Sequence, residues 1–291
     1  MTAANFSVPK PFQEFDSAAV ESKIIRFIRK IVKDSGAKGV VLGLSGGIDS
    51  ALVAALSAKA MGAKNVHPFF FYNSETNSFN SEDLQDAVLL SEQFGLNLQK
   101  INLHETIAAA ESSFQDSDLS ISSDSFIPSG NLRSRLRMSL LYYYANANNL
   151  LVIGTKNKTE RLTGYYTKYG DGGVDLDPIA DLYKTEVRLL SKFLNLPESI
   201  LSKAPSAGFW SGQSDEEDLG IRYEQLDYLL YELEKIGLNK VLKMNSGDED
   251  FKIVKNVLEN AKLTIDQYES VKSRVKSAEH KQKLPKYPKF S

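Results

Sequence analysis

The sequence predicts an α/β protein with a doubly wound parallel sheet and helical additions at its carboxyl end. Short aliphatic runs alternate with stretches of helical apolar spacing in the first two thirds of the chain, which is typical of parallel sheets. A glycine-rich turn joins the first run to the next helix, and the last third has helical spacing only. With 291 residues, 42% of them hydrophobic, the chain can bury a core, and we expect one domain over residues 1–291.

The first elements follow one another in the order that crossover connections require. Residues 1–16 contain Pro9 and Pro11 without periodicity, which predicts an irregular arm. The predicted elements after it are a helix over 17–33, a strand over 40–44, a helix over 51–60, a strand over 66–72, a helix over 81–94, a strand over 96–103 and a helix over 104–115. Because right-handed crossovers make such strands parallel, we expect ligands at the carboxyl ends of the strands.

The second half begins with a polar segment, 117–129, that is rich in Ser and Asp. An ordinary connection and a lid over a ligand are both compatible with it. A long helix from Gly130 follows and leads into a buried strand over 150–154. Helical spacing then recurs over 182–194, 226–233, 251–258 and 265–275. The last three of these segments predict an all-helical cap on the sheet.

The turn over residues 45–50, Ser-Gly-Gly-Ile-Asp-Ser, predicts a phosphate-binding loop. Its two glycines carry no Cβ and can adopt positive φ, so backbone N–H groups can converge on an anion at the positive end of the helix dipole. Ser45 and Ser50 offer hydroxyls, and Asp49 offers a carboxylate for Mg²⁺ bound to the phosphate. The turn matches neither a Walker A loop nor a dinucleotide fingerprint. A plain glycine turn with a capping serine is the alternative.

Charged residues near other strand ends predict the rest of an anion and metal site. Glu160 follows the fourth strand and lies on the same rim as Asp49, where it can complete a magnesium site; an exposed ion pair with Arg161 is the alternative. Arg135 is one of three arginines near a predicted helix start, where positive charge opposes the helix dipole, so an anionic ligand is favoured. Lys184 is near enough to its helix start to reach a phosphate, although a solvated surface lysine is also compatible.

Composition excludes several classes of function. The absence of cysteine excludes disulfides, Cys-ligated zinc, Fe–S clusters and a cysteine-dependent glutaminase. The formal charge is −2, from 35 basic and 37 acidic residues, so the whole-chain charge gives no indication of nucleic-acid binding. No apolar stretch reaches the ~18 residues of a membrane helix, and the N-terminus has no secretory pattern. We therefore expect no nucleic-acid or membrane partner and a cytoplasmic location.

Several short motifs stand in a fixed order along the chain. They are Ser45-Gly-Gly-Ile-Asp-Ser50, Arg135-Leu-Arg-Met138, Gly154-Thr155 with Glu160, Thr163-Gly164, Thr167-Lys-Tyr-Gly-Asp171, Tyr183-Lys-Thr185, Pro205-Ser-Ala207 and Gly212-Gln-Ser-Asp-Glu-Glu-Asp-Leu-Gly220. This series resembles the ammonia-dependent NAD synthetases of the ATP pyrophosphatase superfamily. The first motif indicates the superfamily alone, whereas the Lys-Tyr-Gly-Asp and Gln-Ser-Asp-Glu segments are specific to the synthetases. The resemblance implies an adenine nucleotide alpha hydrolase-like fold.

The resemblance implies a ligase with ATP, deamido-NAD and ammonia as substrates. ATP adenylates the nicotinate carboxylate of deamido-NAD, and ammonia then amidates it, which gives NAD, AMP and pyrophosphate. Mg²⁺ is the implied cofactor, with Asp49 and Glu160 as its ligands. The implied ATP-binding residues are Gly43, Leu44, Ser45, Gly46, Gly47, Ile48, Asp49, Ser50, Thr155, Lys184 and Ser206. The implied deamido-NAD-binding residues are Arg135, Lys168, Asp175, His280 and Lys281. The implied catalytic residues are Asp49, Lys184 and Asp171, the last as the group that orients ammonia.

The resemblance also implies a homodimer with the deamido-NAD site at the subunit interface. The tyrosines at 142–144 are compatible with that interface and equally with core packing. Another superfamily enzyme that adenylates a different substrate, such as a tRNA, is the enzymatic alternative, but a basic nucleic-acid-binding domain is missing. A nucleotide-binding protein without catalysis is the non-enzymatic alternative, and the paired metal carboxylates speak against it.

Three further predictions concern the carboxyl-terminal third. Residues 272–291 contain six Lys and one Arg against one Glu, a balance of +6, and are predicted to form a basic tail that closes over the deamido-NAD phosphates through His280-Lys281. The segment Ser214-Asp-Glu-Glu217 predicts a helix capping box. Gly208-Phe209 departs from the family pattern, which usually has an acidic residue and leucine there, and leaves the path of that loop open.

Overall fold

Parallel strands form one sheet at the centre of the molecule. The computed structural model describes residues 8–75, 81–113, 126–206, 214–245 and 247–289. Within them the strands are β1 (Gly39–Gly43), β2 (Val66–Tyr72), β3 (Gln99–Asn102) and β4 (Leu150–Val152), in the order β3-β2-β1-β4. A further parallel bridge joins Ile153, directly after β4, to Leu176. The strand order reverses between β1 and β4, and such a switch point is where open α/β sheets bind ligands.

Helices cover both faces of the sheet, as a doubly wound fold requires. They are α1 (Ser17–Ser35), α2 (Ile48–Met61), α3 (Ser81–Phe94), α4 (His104–Ser112), α5 (Phe126–Asn148), α6 (Lys158–Thr163), α7 (Lys184–Phe193) and α8 (Glu198–Ser202). Val40 and Leu42 of β1 belong to one core cluster with α1, α2 and α7, whereas Val41 packs with Leu141 and Ala145 of α5. The three β1 side chains are fully buried, and each stabilises the fold by ~1.5–3 kcal/mol. The predicted fold class is confirmed.

The carboxyl-terminal third forms a helical cap with a core of its own. Its helices are α9 (Asp215–Leu219), α10 (Tyr223–Ile236), α11 (Leu238–Val241), α12 (Phe251–Ala261) and α13 (Ile265–Gln282). Phe251 and Tyr268 are fully buried there and meet edge to face, with ring centroids 5.5 Å apart. None of the helices in the described ranges is both long enough and apolar enough to cross a membrane.

The predicted elements are present, and the differences from prediction lie at their ends. Helix α2 begins at Ile48 rather than at residue 51, and β3 covers only part of the predicted strand over 96–103. Strand β3 lies at the sheet edge and pairs with β2 alone, which explains its short ladder. Most of the polar segment 117–129, for which an ordinary connection and a lid were both open, lies outside the described residues, and its last part belongs to α5. The predicted irregular arm contains one 3-10 turn that ends in a buried Phe12.

Helix α5 begins at Phe126, earlier than the predicted start at Gly130. Pro128 is tolerated there because the N–H groups of the first helical turn have no intrahelical partner. Arg135 therefore lies more than two turns into the helix, where the dipole acts weakly. The prediction that Arg135 opposes the dipole at a helix start is wrong.

The basic segment 272–291 is not one tail. Helix α13 continues through it to Gln282, so His280 and Lys281 occupy the last helical turn, where positive charge stabilises the helix. Residues 283–289 follow without regular structure. An ordered helix holds the His-Lys pair, and only the residues after Gln282 remain a candidate for closing on a substrate.

Candidate active site

The turn after β1 has the geometry of an anion-binding loop. Strand β1 ends at Gly43 and α2 begins at Ile48, so residues 44–47 make the turn. Gly46 has a φ of +81°, and a Cβ at this position would lie 2.4 Å from the carbonyl oxygen of Asp83 in the first turn of α3. Only glycine can adopt this φ and also leave room for the carbonyl group of Asp83. The turn therefore requires glycine at position 46.

Ser50 holds the turn in shape from inside. Its hydroxyl donates to the carbonyl oxygen of Gly47 at 3.0 Å and accepts from the N–H of Ser45 at 3.1 Å. Ser50 is buried, whereas Ser45 is exposed. Of the two hydroxyls that we predicted to face a phosphate, that of Ser45 lies at the surface of the turn and that of Ser50 supports it.

Asp49, Glu160 and Lys184 meet beside the turn although they are distant in sequence. Asp49 lies in the first turn of α2, Glu160 in the first turn of α6, and Lys184 is the first residue of α7. The ammonium Nζ of Lys184 lies 2.5 Å from Oδ2 of Asp49 and 3.9 Å from Oε1 of Glu160. Glu160 is thus part of this cluster, and the alternative of a surface pair with Arg161 is wrong, because Arg161 donates to the carbonyl oxygen of Ala180 instead.

Asn157 connects the two carboxylates and is fully buried. Its Nδ2 donates to Oδ1 of Asp49 at 2.9 Å, and its Oδ1 accepts from the N–H of Glu160 at 2.9 Å. Its own N–H donates to Oε2 of Glu160 at 3.1 Å, which completes a capping box at the start of α6. Sequence reasoning missed Asn157, although the spacing Asn-x-x-Glu directly after a strand is the signal that predicts it.

Burial and mutual charge set the protonation of this cluster. Burial, and next the negative charge of Asp49, raise the pKa of Glu160 well above its usual range. Burial alone would lower the pKa of Lys184, but the carboxylates of Asp49 and Glu160 outweigh it and raise that pKa. Lys184 is therefore a charged ammonium at neutral pH in a site of low dielectric, where its field is strong.

Asp215 adds a third carboxylate near Lys184, which sequence reasoning missed. Its Oδ2 accepts from the hydroxyl of Tyr223 at 3.2 Å, while its buried Oδ1 has no hydrogen-bond partner among the described residues. Its charge contributes to the raised pKa of Lys184. The predicted capping box from Ser214 to Glu217 is wrong: α9 is little more than one turn, and the side chain of Ser214 makes no capping bond.

A second cluster gathers cations from three separate segments. Lys168 Nζ donates to the carbonyl oxygen of His280 at 2.7 Å, and Arg135 Nε donates to the carbonyl oxygen of Lys168 at 3.3 Å. Lys281 Nζ donates to two carbonyl oxygens of the loop after α6, at 2.6 and 2.7 Å. Burial lowers the pKa of Lys281, and the nearby charge of Asp171 opposes that effect. Lys168, in the loop after α6, thus links Arg135 of α5 to the last turn of α13.

Asp171 and Asp175 both lie against α5. Oδ1 of Asp171 accepts from the hydroxyl of Ser134 and from the N–H of Thr167, each at 2.9 Å. Oδ1 of Asp175 accepts from the hydroxyl of Tyr142 at 3.0 Å, and its Oδ2 accepts from the N–H of the last residue of β4 at 2.7 Å. Both carboxylates are exposed and held in fixed orientations, as a substrate-binding role requires.

Thr155 and Ser206 are the remaining predicted ATP contacts. Thr155 is half-buried between β4 and α6, on the rim that carries the turn, and Ser206 is exposed at the end of a described range. Both stay predictions as nucleotide contacts. The departure at Gly208-Phe209 lies outside the described residues.

The fold and the site together define a nucleotide-dependent α/β enzyme: a glycine turn at the switch point of a parallel sheet faces a buried lysine and paired carboxylates. Within that class the chain belongs to the NAD synthase family, whose model matches residues 20–285. The family expected from the motifs is confirmed.

Relatives and solved structures agree with this assignment. The chain is 44% identical over 275 residues to an NH(3)-dependent NAD(+) synthetase of Methanosarcina mazei, covering 94% of this chain and 99% of that one. It is 38% identical over 282 residues to one of Thermococcus sibiricus, covering 96% and 100%. The structure of NMN synthetase from Francisella tularensis matches with a TM-score of 0.77 and 30% identity, covering 95% of this chain and 100% of that one. The NH3-dependent NAD synthetase of Campylobacter jejuni matches with a TM-score of 0.73 and 32% identity, covering 94% and 100%.

Proposed function

We propose that the chain catalyses ammonia-dependent synthesis of NAD⁺. The nicotinate carboxylate of deamido-NAD attacks the α-phosphorus of ATP, and pyrophosphate leaves. Ammonia then attacks the carbonyl carbon of the acyl-adenylate, and AMP leaves with the former carboxylate oxygen. One observation carries the proposal: the phosphate turn, Lys184 and the two carboxylates converge at the switch point of the sheet. The names of relatives that match over nearly their whole length support it.

Lys184 supplies positive charge to the pyrophosphate that leaves. The triphosphate lies against the turn after β1, where backbone N–H groups and the hydroxyl of Ser45 face it. Negative charge grows on the leaving group in the transition state, and a buried ammonium stabilises it without reorganisation of solvent. The carboxylates of Asp49 and Glu160 raise the pKa of Lys184, so the substrate meets a protonated ammonium at neutral pH.

Asp49 and Glu160 fit a magnesium ion as part of its ligand set. Among the described residues no three His, Cys, Asp or Glu side chains come together as a metal site, so the protein alone does not complete a coordination shell there. Mg²⁺ commonly takes one or two carboxylates and fills its octahedron with phosphate oxygens and water. Burial and the charge of Asp49 raise the pKa of Glu160, so an added cation stabilises the pair. When bound, the ion would polarise the α-phosphate and neutralise pyrophosphate.

The cationic cluster that joins α5, the loop after α6 and α13 is the proposed deamido-NAD site. Arg135, Lys168 and Lys281 bring positive charge to a dinucleotide that carries two phosphates and a carboxylate. Asp175, fixed by Tyr142, offers a hydrogen-bond acceptor for hydroxyl groups of the substrate.

Asp171 is the proposed group that orients ammonia. Within the described residues its Oδ1 accepts both of the hydrogen bonds that fix it, which leaves Oδ2 to hold the amine. A carboxylate oxygen accepts an N–H bond from ammonia and withdraws its proton as the C–N bond forms.

A homodimer is part of the proposal. Tyr142 and Tyr144 of α5 bond or pack within the chain, whereas Tyr143 between them is 77% exposed. An exposed aromatic side chain on the helix that carries Arg135 is suited to an interface. Light scattering should give roughly 65 kDa, twice the chain mass of 32.3 kDa. A mass near 32.3 kDa at micromolar concentration would contradict the dimer.

Synthesis of NMN is a second candidate function. It is favoured by the Francisella tularensis structure, which bears that name and matches with a TM-score of 0.77. The substrate would then be nicotinic acid mononucleotide, which has the same carboxylate but lacks the adenylyl half of deamido-NAD. The chemistry of the site is compatible with both substrates.

A substrate comparison tests the proposal. Purified protein receives ATP, Mg²⁺ and either deamido-NAD or nicotinic acid mononucleotide, each with ammonium or with glutamine, and chromatography scores NAD, NMN and AMP. We expect kcat/KM for deamido-NAD to exceed that for the mononucleotide by at least ~100-fold, because the adenylyl half adds binding energy. We expect turnover with ammonium only. A preference for the mononucleotide would favour the second candidate, and no AMP with either substrate would refute both.

A further inference from the structure

A carboxylate outside the site joins the two helix starts that carry its charged groups. Asp227 lies on α10, in the helical cap, and is fully buried. Its Oδ1 accepts from the hydroxyl of Thr159 at 2.5 Å, and its Oδ2 accepts from the N–H of Thr185 at 2.7 Å. Thr159 is on α6 and Thr185 is on α7, so one carboxylate holds both helices.

The contact extends to the backbone of the site lysine. The N–H of Lys184 donates to the hydroxyl oxygen of Thr159 at 3.0 Å. Thr159 directly precedes Glu160, and Thr185 directly follows Lys184. N–H groups in the first turn of a helix lack intrahelical partners, so these bonds satisfy donors that would otherwise be buried and unpaired. Asp227 and Thr159 thus connect the backbone next to Glu160 with the backbone of Lys184 and Thr185.

Core packing alone does not require a carboxylate at position 227. A buried charge is costly, and apolar side chains of similar volume fill a core equally well or better. Burial raises the pKa of Asp227 to about 6, which still leaves it charged at neutral pH and able to accept both bonds. Both donors belong to the two site helices and neither to α10, so the bonds set the geometry of those helices.

We propose that Asp227 is a positioning residue for catalysis, which fixes Lys184 and Glu160 at their working separation through Thr159 and Thr185. The inference rests on the proposed roles of Lys184 and Glu160. Reaction rates respond steeply to small displacements of the groups that stabilise a transition state, so loss of this link should lower kcat more than substrate affinity.

Asp227→Asn and Thr159→Val test the link from its two ends. The asparagine would keep the shape but replace one acceptor oxygen with a donor, and the valine would remove the hydroxyl at constant volume. Thr159→Ser restores the hydroxyl and serves as the conservative rescue. Gln225→Ala is the matched control, because Gln225 is also on α10 and bonds the carbonyl oxygen of Ala261, away from the site.

Three measurements separate positioning from stability: kcat and KM, the unfolding midpoint, and the Kd of the magnesium complex of α,β-methylene ATP by calorimetry. We expect Asp227→Asn and Thr159→Val each to lower kcat at least ~10-fold and to weaken the analogue, with KM for deamido-NAD within ~2-fold. The double variant should be no worse than the poorer single variant, because both break one link. Thr159→Ser should recover most of kcat, and Gln225→Ala should change the midpoint alone.

Several results would overturn the inference. A folded Asp227→Asn variant with the wild-type kcat would overturn it. So would a double variant in which the two losses of kcat multiply. A loss of kcat in Gln225→Ala as large as that in Asp227→Asn would overturn it as well. If Asp227→Asn does not fold, Thr159→Val decides. Failure of the proposed function looks different: the wild type would form no NAD, and the analogue Kd would still report whether Asp227 shapes the nucleotide site.

Discussion

Gly46 shows how one residue fixes the shape of the phosphate turn. It combines a positive φ with an approach of α3 that leaves no room for a Cβ, and these constraints act together. Gly43, at the end of β1, has neither: no described atom lies within 4 Å of where its Cβ would be. The glycine inside the turn and the glycine that ends β1 therefore differ in how well each position tolerates a side chain.

Gly46→Ala should destabilise the protein by about 1–3 kcal/mol and abolish detectable turnover, because strain and the clash with Asp83 displace the turn. The free energy of unfolding of Gly43→Ala should lie within ~0.5 kcal/mol of the wild-type value. Urea unfolding of both variants measures this contrast. Equal losses of stability in the two would show that the positive φ and the close approach do not shape the turn.

Asp49 is the residue whose loss should remove activity with the least damage to the fold. Asp49→Asn keeps an oxygen for the Nδ2 of Asn157 but removes the charge that pairs with Lys184. We expect kcat to fall at least ~100-fold while the far-ultraviolet spectrum stays unchanged, because the group is at the rim and not in the core. Asp34→Asn, which changes an exposed pair with Lys30, is the control and should keep wild-type kcat. Full activity of Asp49→Asn would refute the proposed metal and charge role.

At the scale of the elements, the last turn of α13 anchors the cationic cluster. Lys281 bonds two carbonyl oxygens after α6, whereas Lys283, two residues on, makes only an exposed pair with Glu279 among the described residues. Both are lysines of the same charge near the same helix end. Of the two, Lys281 ties α13 to the loop after α6.

Lys281→Ala should raise KM for deamido-NAD at least ~10-fold, because it removes a cation and loosens the helix end, while KM for ATP stays within ~3-fold. Lys283→Ala should leave both unchanged. Steady-state kinetics with each substrate varied in turn measures the difference. A rise of KM for ATP alone would contradict the assignment of this cluster to deamido-NAD.

Glu186 illustrates how a helix start couples stability to pH. It lies in the first turn of α7 and accepts from the N–H of Tyr183 at 2.8 Å. Burial, the largest effect, raises its pKa from 4.5 to about 7. Between these values the folded protein keeps a proton that the unfolded chain has lost. The contribution of Glu186 to stability is therefore complete below pH 4.5 and is lost as the pH rises through about 7.

Glu186→Gln removes the titration and keeps a side chain that can serve the same capping position. The variant and the wild type should unfold with similar free energies near pH 4.5. At pH ~8 the variant should be more stable by an amount on the order of 1–3 kcal/mol. Urea unfolding at both pH values measures this. A difference that does not change with pH would show that Glu186 ionises normally in the folded protein.

At the scale of the whole molecule, the sequence predicts what depends on local pattern. Strand β1 could be predicted because a parallel strand that is buried on both faces has a continuous aliphatic sequence. The glycine turn could be predicted because it directly follows that strand. The placement of Asp49 and Glu160 on one rim followed from strand direction alone. The start of α5 at Phe126 could not be predicted from local pattern. Pro128 resembles a helix breaker unless it is known to lie in the first turn of a helix.

Long-range pairing is what the sequence could not supply. Lys184 meets Asp49 across 135 positions, and Asp227 meets Thr159 across 68. Such contacts depend on how helices that are distant in sequence pack against one another, which no local pattern encodes. The same holds for Asp215: its acidic neighbours in sequence indicated a helix start, which is present as α9, but not that its carboxylate adds negative charge near Lys184.

In the proposed reaction, attack by the nicotinate carboxylate cleaves ATP between its α- and β-phosphorus atoms. Deamido-NAD labelled with ¹⁸O in that carboxylate, incubated with ATP, Mg²⁺ and ammonium, tests it in one mass-spectrometric measurement. We expect one ¹⁸O atom in each AMP formed and none in pyrophosphate. Formation of ADP with ¹⁸O in orthophosphate, or unlabelled AMP, would contradict it.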